Sequence, residues 1–581
     1  MIKKLAGCIR EYKKTSIITP ILVFFEVVIE CIIPFITAEL VNQIKANCGI
    51  DVIIKYGSIL LLLAILSLTF GLIAGITCAT ASCGFARNLR KDMFYNIQNF
   101  SFENIDKFST SSLVTRMTTD ITNVKDSYMM IIRVFVRSPF MFVFAIVMAF
   151  IMGGNKMASI FVVVVPILAF GVIMIAKNAV PIFKSVFIKY DNLNASIQEN
   201  VKGMRVVKSF VREEFEQQKF DNVADNVCKD FTKAERILAL NSPIMQLCLN
   251  IVMIFVLSFG SYTIISTKGL DLDVGQFSAL LTYSFMILNS LMMFSFVFVM
   301  ITMSAESARR IVEILDEKST LSNPANPVYD VADGSISFKN VNFKYSNNSE
   351  YNALSDINLD IKSGETIGII GATGSSKSSL IQLISRLYDT TEGAVEVGGI
   401  NVRDYDMKSL REQVAVVLQK NILFSGSIRE NICWGKKDAT DEEISMACKL
   451  ACADEFIDRF PDKYDTHIEQ GGANVSGGQK QRLCIARALI SKPKIIILDD
   501  STSAVDTKTD AKIRNALRTY IPETTKIIIA QRTASVEDAD RIIVMEGGRI
   551  NAIGSHKELL ANNEIYRDIY ISQNKAGVEN E

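Results

Sequence analysis

Residues 371–379 read GATGSSKSS and lie between a short apolar run, Ile367–Ile370, and an apolar-periodic segment, Leu380–Leu387. Strand, glycine loop and helix in that order let backbone N–H groups and a helix N-terminus surround a phosphate. Lys377 then reaches toward β- and γ-phosphates, and the Ser378 hydroxyl is placed to bind Mg2+. The cradle would comprise Gly371, Thr373, Gly374, Ser375, Ser376, Lys377, Ser378 and Ser379. The usual pattern GxxxxGK[ST] fails at Ser376, where glycine would avoid a Cβ beside the phosphates and permit positive φ; serine there is either tolerated or loosens the grip. Farther on, the apolar run Ile495–Leu498 ends in two carboxylates, Asp499 and Asp500, and VSGGQ (Val475–Gln479) opens a helix.

These groups need a rigid α/β frame, and only the second half of the chain offers one. Of 581 residues, 49% are hydrophobic and 21% charged, a balance unlike that of an ordinary soluble enzyme. Six long apolar stretches, about 16–43, 54–84, 134–155, 157–179, 241–267 and 274–304, each approach the ~20 residues that cross a bilayer as helix. C-terminal to them, the chain alternates short β-branched runs with polar helical stretches. The expected architecture is a six-helix transmembrane domain (1–315) with long cytoplasmic helical loops, a polar linker containing Pro324 and Pro327 (316–335), and an α/β P-loop domain (336–581). Formal net charge is zero and no basic stripe interleaves with aromatics, so no nucleic-acid partner is expected. Eleven Cys without a CxxC pair and two distant His, His467 and His556, indicate neither a disulfide framework nor a metal cluster.

Lys3, Lys4, Arg10, Lys13 and Lys14 place the N-terminus in the cytoplasm by the positive-inside rule. Six spans return the chain there, so the P-loop domain is expected on the cytoplasmic side of a cell (inner) membrane. Within the first span Glu26 and Glu30 stand four apart on one helix face, where a carboxylate costs a few kcal/mol. They form a site for a cationic substrate or, the preferred reading, they are protonated or serve as interhelical hydrogen-bond partners.

The order of motifs resembles that of an ATP-binding cassette (ABC) exporter half-transporter of the six-span type, over almost the whole chain. The resemblance implies that Tyr345 stacks on adenine, that Gln419 senses γ-phosphate and Mg2+, and that Asp499 joins Ser378 on the metal. It further implies that Ser476, Gly477, Gly478 and Gln479 pin the γ-phosphate held by an opposite subunit, and that SAVD (Ser503–Asp506) communicates between sites. SSLVTRMTTDI (111–121) resembles the first coupling segment, and the stretch 201–220 the second, which docks on the partner's nucleotide domain.

Two positions depart from the family pattern besides Ser376. Asp500 stands where the catalytic base is usually Glu, and Gln531 where the switch residue is usually His. Asp is one methylene shorter, and a misplacement of ~1 Å can cost roughly 10²-fold. Gln can hydrogen-bond a phosphate but cannot shuttle a proton. Beside an intact VSGGQ, these losses imply the degenerate-site subunit of a heterodimer. Its cofactors would be ATP and Mg2+, its partner a second half-transporter subunit, and its substrates amphipathic drugs, lipids or peptides carried across the bilayer. A slow homodimeric exporter and an ATP-gated, non-pumping channel or receptor remain as alternatives.

Overall fold

The computed structural model describes residues 1–346 and 349–578, which divide into two compact units: Met1–Asn99 with Phe108–Lys318, and Phe100–Lys107 with Ser319 onward.

The first unit is helical. Its main helices are Lys13–Lys45, Ile50–Gln98, Val136–Ser209, Glu213–Ala239, Asn241–Ser266 and Val274–Asp316. Five helical stretches among the described residues are long and apolar enough to cross a membrane, and the six expected spans fall on these five. The expected third and fourth spans lie within the one helix Val136–Ser209, which breaks at Gly154 (φ 63°, ψ −179°), a geometry that side-chain-bearing residues resist. Residues from both sides of the break, Ala149 and Phe161 among them, enter one apolar cluster with Leu280 and Tyr283. Many outward residues such as Leu61, Leu68, Val162 and Phe170 are exposed and apolar, as expected where lipid rather than water is the solvent. The last helix begins with Asp273 and Gln276 capping each other. Gly275 packs so closely on the first span that a Cβ would strike the Ala38 carbonyl.

The segment 111–121, expected as the first coupling segment, belongs to the first unit and packs along the last membrane helix. Arg116 donates to Glu313 (2.9 Å) and to the Arg310 carbonyl (3.0 Å), and buried Asp120 accepts from Ser307 (2.8 Å) and Arg310 (2.6 Å). Its charges serve that packing. The part of the first inner hairpin that belongs to the second unit is Phe100–Lys107, whose short helix Phe102–Lys107 sets Asp106 against the Tyr388 hydroxyl (2.6 Å).

The second unit is built on a six-stranded sheet ordered Arg549–Gly554, Arg541–Glu546, Thr366–Ile370, Thr525–Ile529, Ile495–Asp499, Val414–Val417. All neighbours are parallel except the antiparallel edge strand Arg549–Gly554. Parallel strands covered on both faces read as unbroken apolar runs, and 495–499 and 525–529 are buried throughout. Each fully buried Ile or Leu contributes roughly 2 kcal/mol of transfer free energy, so this sheet is the rigid floor of the unit. An antiparallel sheet of Leu354–Ile361, Ile336–Phe343, Glu392–Val397 and Ile400–Asn401 lies in the same unit and carries Tyr345 just past the end of one strand.

Candidate functional site

Ligands of open parallel sheets bind beyond the carboxyl ends of the strands, and here three adjacent strands converge on one edge. Ile529 pairs with Ile369 on one side and Asp499 on the other. The strands therefore deliver the 371–379 loop, Gln531 and the Asp499–Asp500 pair side by side.

The loop needs left-handed backbone twice. Gly374 supplies it freely (φ 84°), whereas Ser376 adopts it with a side chain (φ 68°, ψ 25°) at the N-cap of the helix Lys377–Ile384. At Gly371 the constraint is space, since a Cβ would fall on the Met545 carbonyl oxygen. Lys377 Nζ donates to the Gly371 and Ala372 carbonyls (2.9 Å each) and to Ser375 Oγ (3.1 Å). Burial lowers the Lys377 pKa, against the pull of Asp499 and Asp500.

Asp499 is buried and hydrogen-bonded by Ser378; burial raises its pKa and the Asp500 charge adds to that, while Ser378 and Lys377 oppose it. Burial likewise raises Asp500, against the Gln419 amide, Lys377, Arg532 and the Gln531 amide. Gln531 Nε2 donates to Asp500 Oδ2 at 2.9 Å. One carboxylate beside a hydroxyl and an amide suits Mg2+, which keeps water and phosphate oxygens for its remaining positions. Asp499, Ser378 and Gln419 would hold it.

Tyr345 sits over the start of the same helix. Its hydroxyl bonds Ser379 Oγ (2.8 Å) and Gln382 Oε1 (3.1 Å), and its half-exposed ring meets Phe343 and Tyr388 edge-on. The VSGGQ segment starts the helix Gly477–Leu489 as a capping box: Ser476 Oγ accepts from the Gln479 N–H, and Gln479 Oε1 accepts from the Ser476 N–H. A Cβ on Gly477 would touch Ala504, and one on Gly478 would press on the Ala504 carbonyl at 2.8 Å. Gln481 ties the same helix to Ser503 (3.2 Å) and the Ala504 N–H (2.9 Å). The structure thus joins VSGGQ to SAVD. Among the described residues, no hydrogen bond joins VSGGQ to the phosphate loop.

The family descriptions "ABC transporter transmembrane region" and "ABC transporter" match residues 16–302 and 354–503. The ABC transporter ATP-binding protein YfiB of Bacillus subtilis is 34% identical, with 98% of each chain covered. Rv1273c of Mycobacterium tuberculosis, another ABC transporter ATP-binding protein, is 33% identical over 97% of each. This chain belongs to the ABC transporter family. The fold of the transporter is also that of a solved bacterial Atm1-family ABC exporter, with a TM-score of 0.83 at 23% identity over 97% of this chain and 98% of the other. Membership makes the chain a multi-pass membrane protein with an ATP-binding cassette of the transport-ATPase type.

In the membrane unit of this ABC transporter, Glu26 and Glu30 share one cation. Arg137 Nη1 donates to Glu26 (2.6 Å), and Nη2 to both oxygens of Glu30 (2.8 and 2.7 Å). Glu26 is 6% exposed, and its Oε2 finds no protein partner. Gly71 makes room for the cluster, since a Cβ there would lie 3.1 Å from Glu26 Oε1. The helical periodicity of the sequence pairs the two acids but cannot name Arg137, which stands at the edge of an uncharged run.

Sequence reasoning missed two other residues of the transporter's cassette. Tyr388 connects Tyr345 to Asp106, and Gln573 of the last helix bonds the backbone around Gln531. Neither carries a motif; both act across long sequence separations.

Proposed function

We propose that the chain is one subunit of an ATP-driven heterodimeric exporter for amphipathic substrates (drugs, lipids or peptides). Its N-terminus and cassette face the cytoplasm across a cell membrane. Its own phosphate loop binds Mg-ATP and hydrolyses it slowly, and its VSGGQ completes a competent site on a partner's phosphate loop.

The contact between Gln531 and Asp500 carries this reading. In the reading the carboxylate activates the attacking water and the switch residue meets the γ-phosphate. Here the carboxylate is one methylene short of Glu, and its neighbour is an amide that cannot ionise. Both substitutions fall on one hydrogen bond in one site. VSGGQ, by contrast, is closed by its own capping box and leaves the Gly477 and Gly478 N–H groups as helix-terminal donors for phosphate.

At the chain's own site Tyr345 stacks on adenine, and Lys377 with the loop N–H groups holds the β- and γ-phosphates. Asp499, Ser378 and Gln419 hold Mg2+. Bound there, Mg2+ would supply neutralisation of the charge that develops on the phosphates. Asp500 orients water poorly, so nucleotide stays.

The purified chain alone should show little ATPase, because both of its self-paired sites contain Asp500 and Gln531. Co-expression with a half-transporter bearing Glu and His at these positions should restore turnover. Robust turnover by a purified homodimer overturns the reading, and substrate movement without hydrolysis would favour a gated channel.

A further inference from the structure

The last helix, Glu564–Val578, is anchored at its start: Tyr566 is fully buried, and its hydroxyl bonds His556 Nδ1 at 2.7 Å. The Tyr566 N–H donates to Asn563 Oδ1 (2.8 Å), and Arg567 donates to the Leu560 and Ala561 carbonyls (2.9 and 2.6 Å). About two turns on, roughly 10 Å along the axis, Gln573 meets the segment after the strand Thr525–Ile529.

One side chain makes three hydrogen bonds there. Gln573 Oε1 accepts from the Thr533 N–H (2.9 Å) and the Thr533 hydroxyl (3.0 Å), and Nε2 donates to the Gln531 carbonyl (2.8 Å). The amide can face only one way, because its oxygen meets two donors and its nitrogen an acceptor. Thr533 is 3% exposed and Gln531 is exposed, so the clamp fixes the buried side of a turn whose open side carries the functional amide. The Gln531 side chain leaves this backbone to reach Asp500. A continuous path runs from the core through Gln573 and the Gln531 backbone to the carboxylate edge of the sheet.

We propose that Gln573 is a positioning residue: it holds the Gln531 backbone so that the Gln531 amide is aimed at the γ-phosphate of ATP bound to this chain. The proposal rests on the reading of Gln531 as the switch residue. ADP lacks the group addressed, so the clamp separates triphosphate from diphosphate.

The test uses the full-length chain in detergent, titrated with the Mg2+ complexes of β,γ-imido-ATP and ADP. Gln573→Ala should weaken the triphosphate analogue by about 5-fold, the scale of one net hydrogen bond, and leave ADP within about 1.5-fold. Gln573→Glu keeps the size and still accepts from Thr533 but cannot donate to the Gln531 carbonyl. It should give the same selective loss even where the alanine variant folds poorly. In a Gln531→Ala background, Gln573→Ala should add nothing. Equal losses on both nucleotides, an additive double variant, or no loss with either Gln573 variant overturns the proposal and leaves Gln573 a structural strap. If Gln531→Ala leaves the triphosphate preference unchanged, the switch assignment falls and the positioning role with it. A selective Gln531→Ala loss that neither Gln573 variant reproduces removes the clamp alone.

Discussion

Replacing Ser376 with glycine should stabilise the cassette. Ser376 holds φ 68° and ψ 25°, a left-handed conformation that costs an L-residue about 1–2 kcal/mol. Glycine removes that cost but brings about 0.4–1 kcal/mol of extra unfolded-state entropy. The net gain is therefore about 0.5–1 kcal/mol, which for a unit of some 250 residues corresponds to a midpoint rise of about 1–4 °C. Scanning calorimetry of the full-length chain without nucleotide, following the cassette transition, reads this directly. Gly374 supplies the converse control: its φ is 84°, and nothing lies within 4 Å of where a Cβ would stand, so Gly374→Ser should lower the midpoint by a similar amount. A lower midpoint for Ser376→Gly, or an indifferent Gly374→Ser, would refute the assignment of strain.

In the proposed complex with a partner subunit, Ser476→Ala should collapse ATPase by ~10² or more, because the proposed function makes that residue a donor to the transferred γ-phosphate, whereas Asp500→Asn should leave most of the summed rate; a purified-complex assay with both variants side by side decides. Arg137→Met should destabilise the membrane unit by about 2 kcal/mol or more, since it strands two carboxylates. Adding Glu26→Gln and Glu30→Gln should recover most of that loss, read as the yield of monodisperse protein after heating. Ser501 is 2% exposed and its hydroxyl finds no protein partner, so Ser501→Ala should raise cassette stability by about 1 kcal/mol, measured by the same calorimetry.

The layout of the nucleotide edge was legible because its determinants are local. A buried parallel strand needs an unbroken apolar run, a phosphate loop needs small residues, and the carboxylates come directly after their strand. The left-handed demand at Ser376 was legible for the same reason. What escaped was set by distant pairing. Arg137 meets Glu26 across 111 positions and Gln573 meets Gln531 across 42, and no periodicity links them. Within 111–121, Arg116 and Asp120 pair with Glu313, Ser307 and Arg310 of the last membrane helix, again over separations that no local pattern announces. The preceding Phe102–Lys107 has fewer signals and joins the cassette unit through Asp106. The expected third and fourth spans lie on either side of the break at Gly154, a single residue between two otherwise similar runs.

Among its described residues the cassette contains four reciprocal helix starts, at Ser427 with Glu430, Thr440 with Glu443, Ser476 with Gln479 and Ser555 with Glu558. Three close with a carboxylate, which also complements the positive end of the helix dipole. Of the four, VSGGQ alone closes with a neutral amide. Folding alone would accept Glu at 479, so the choice of Gln forgoes a small dipole stabilisation and leaves the positive end of that helix unneutralised. Under the proposed function this terminus receives the γ-phosphate of a partner's nucleotide, and a neutral cap leaves the helix dipole free to act on that anion.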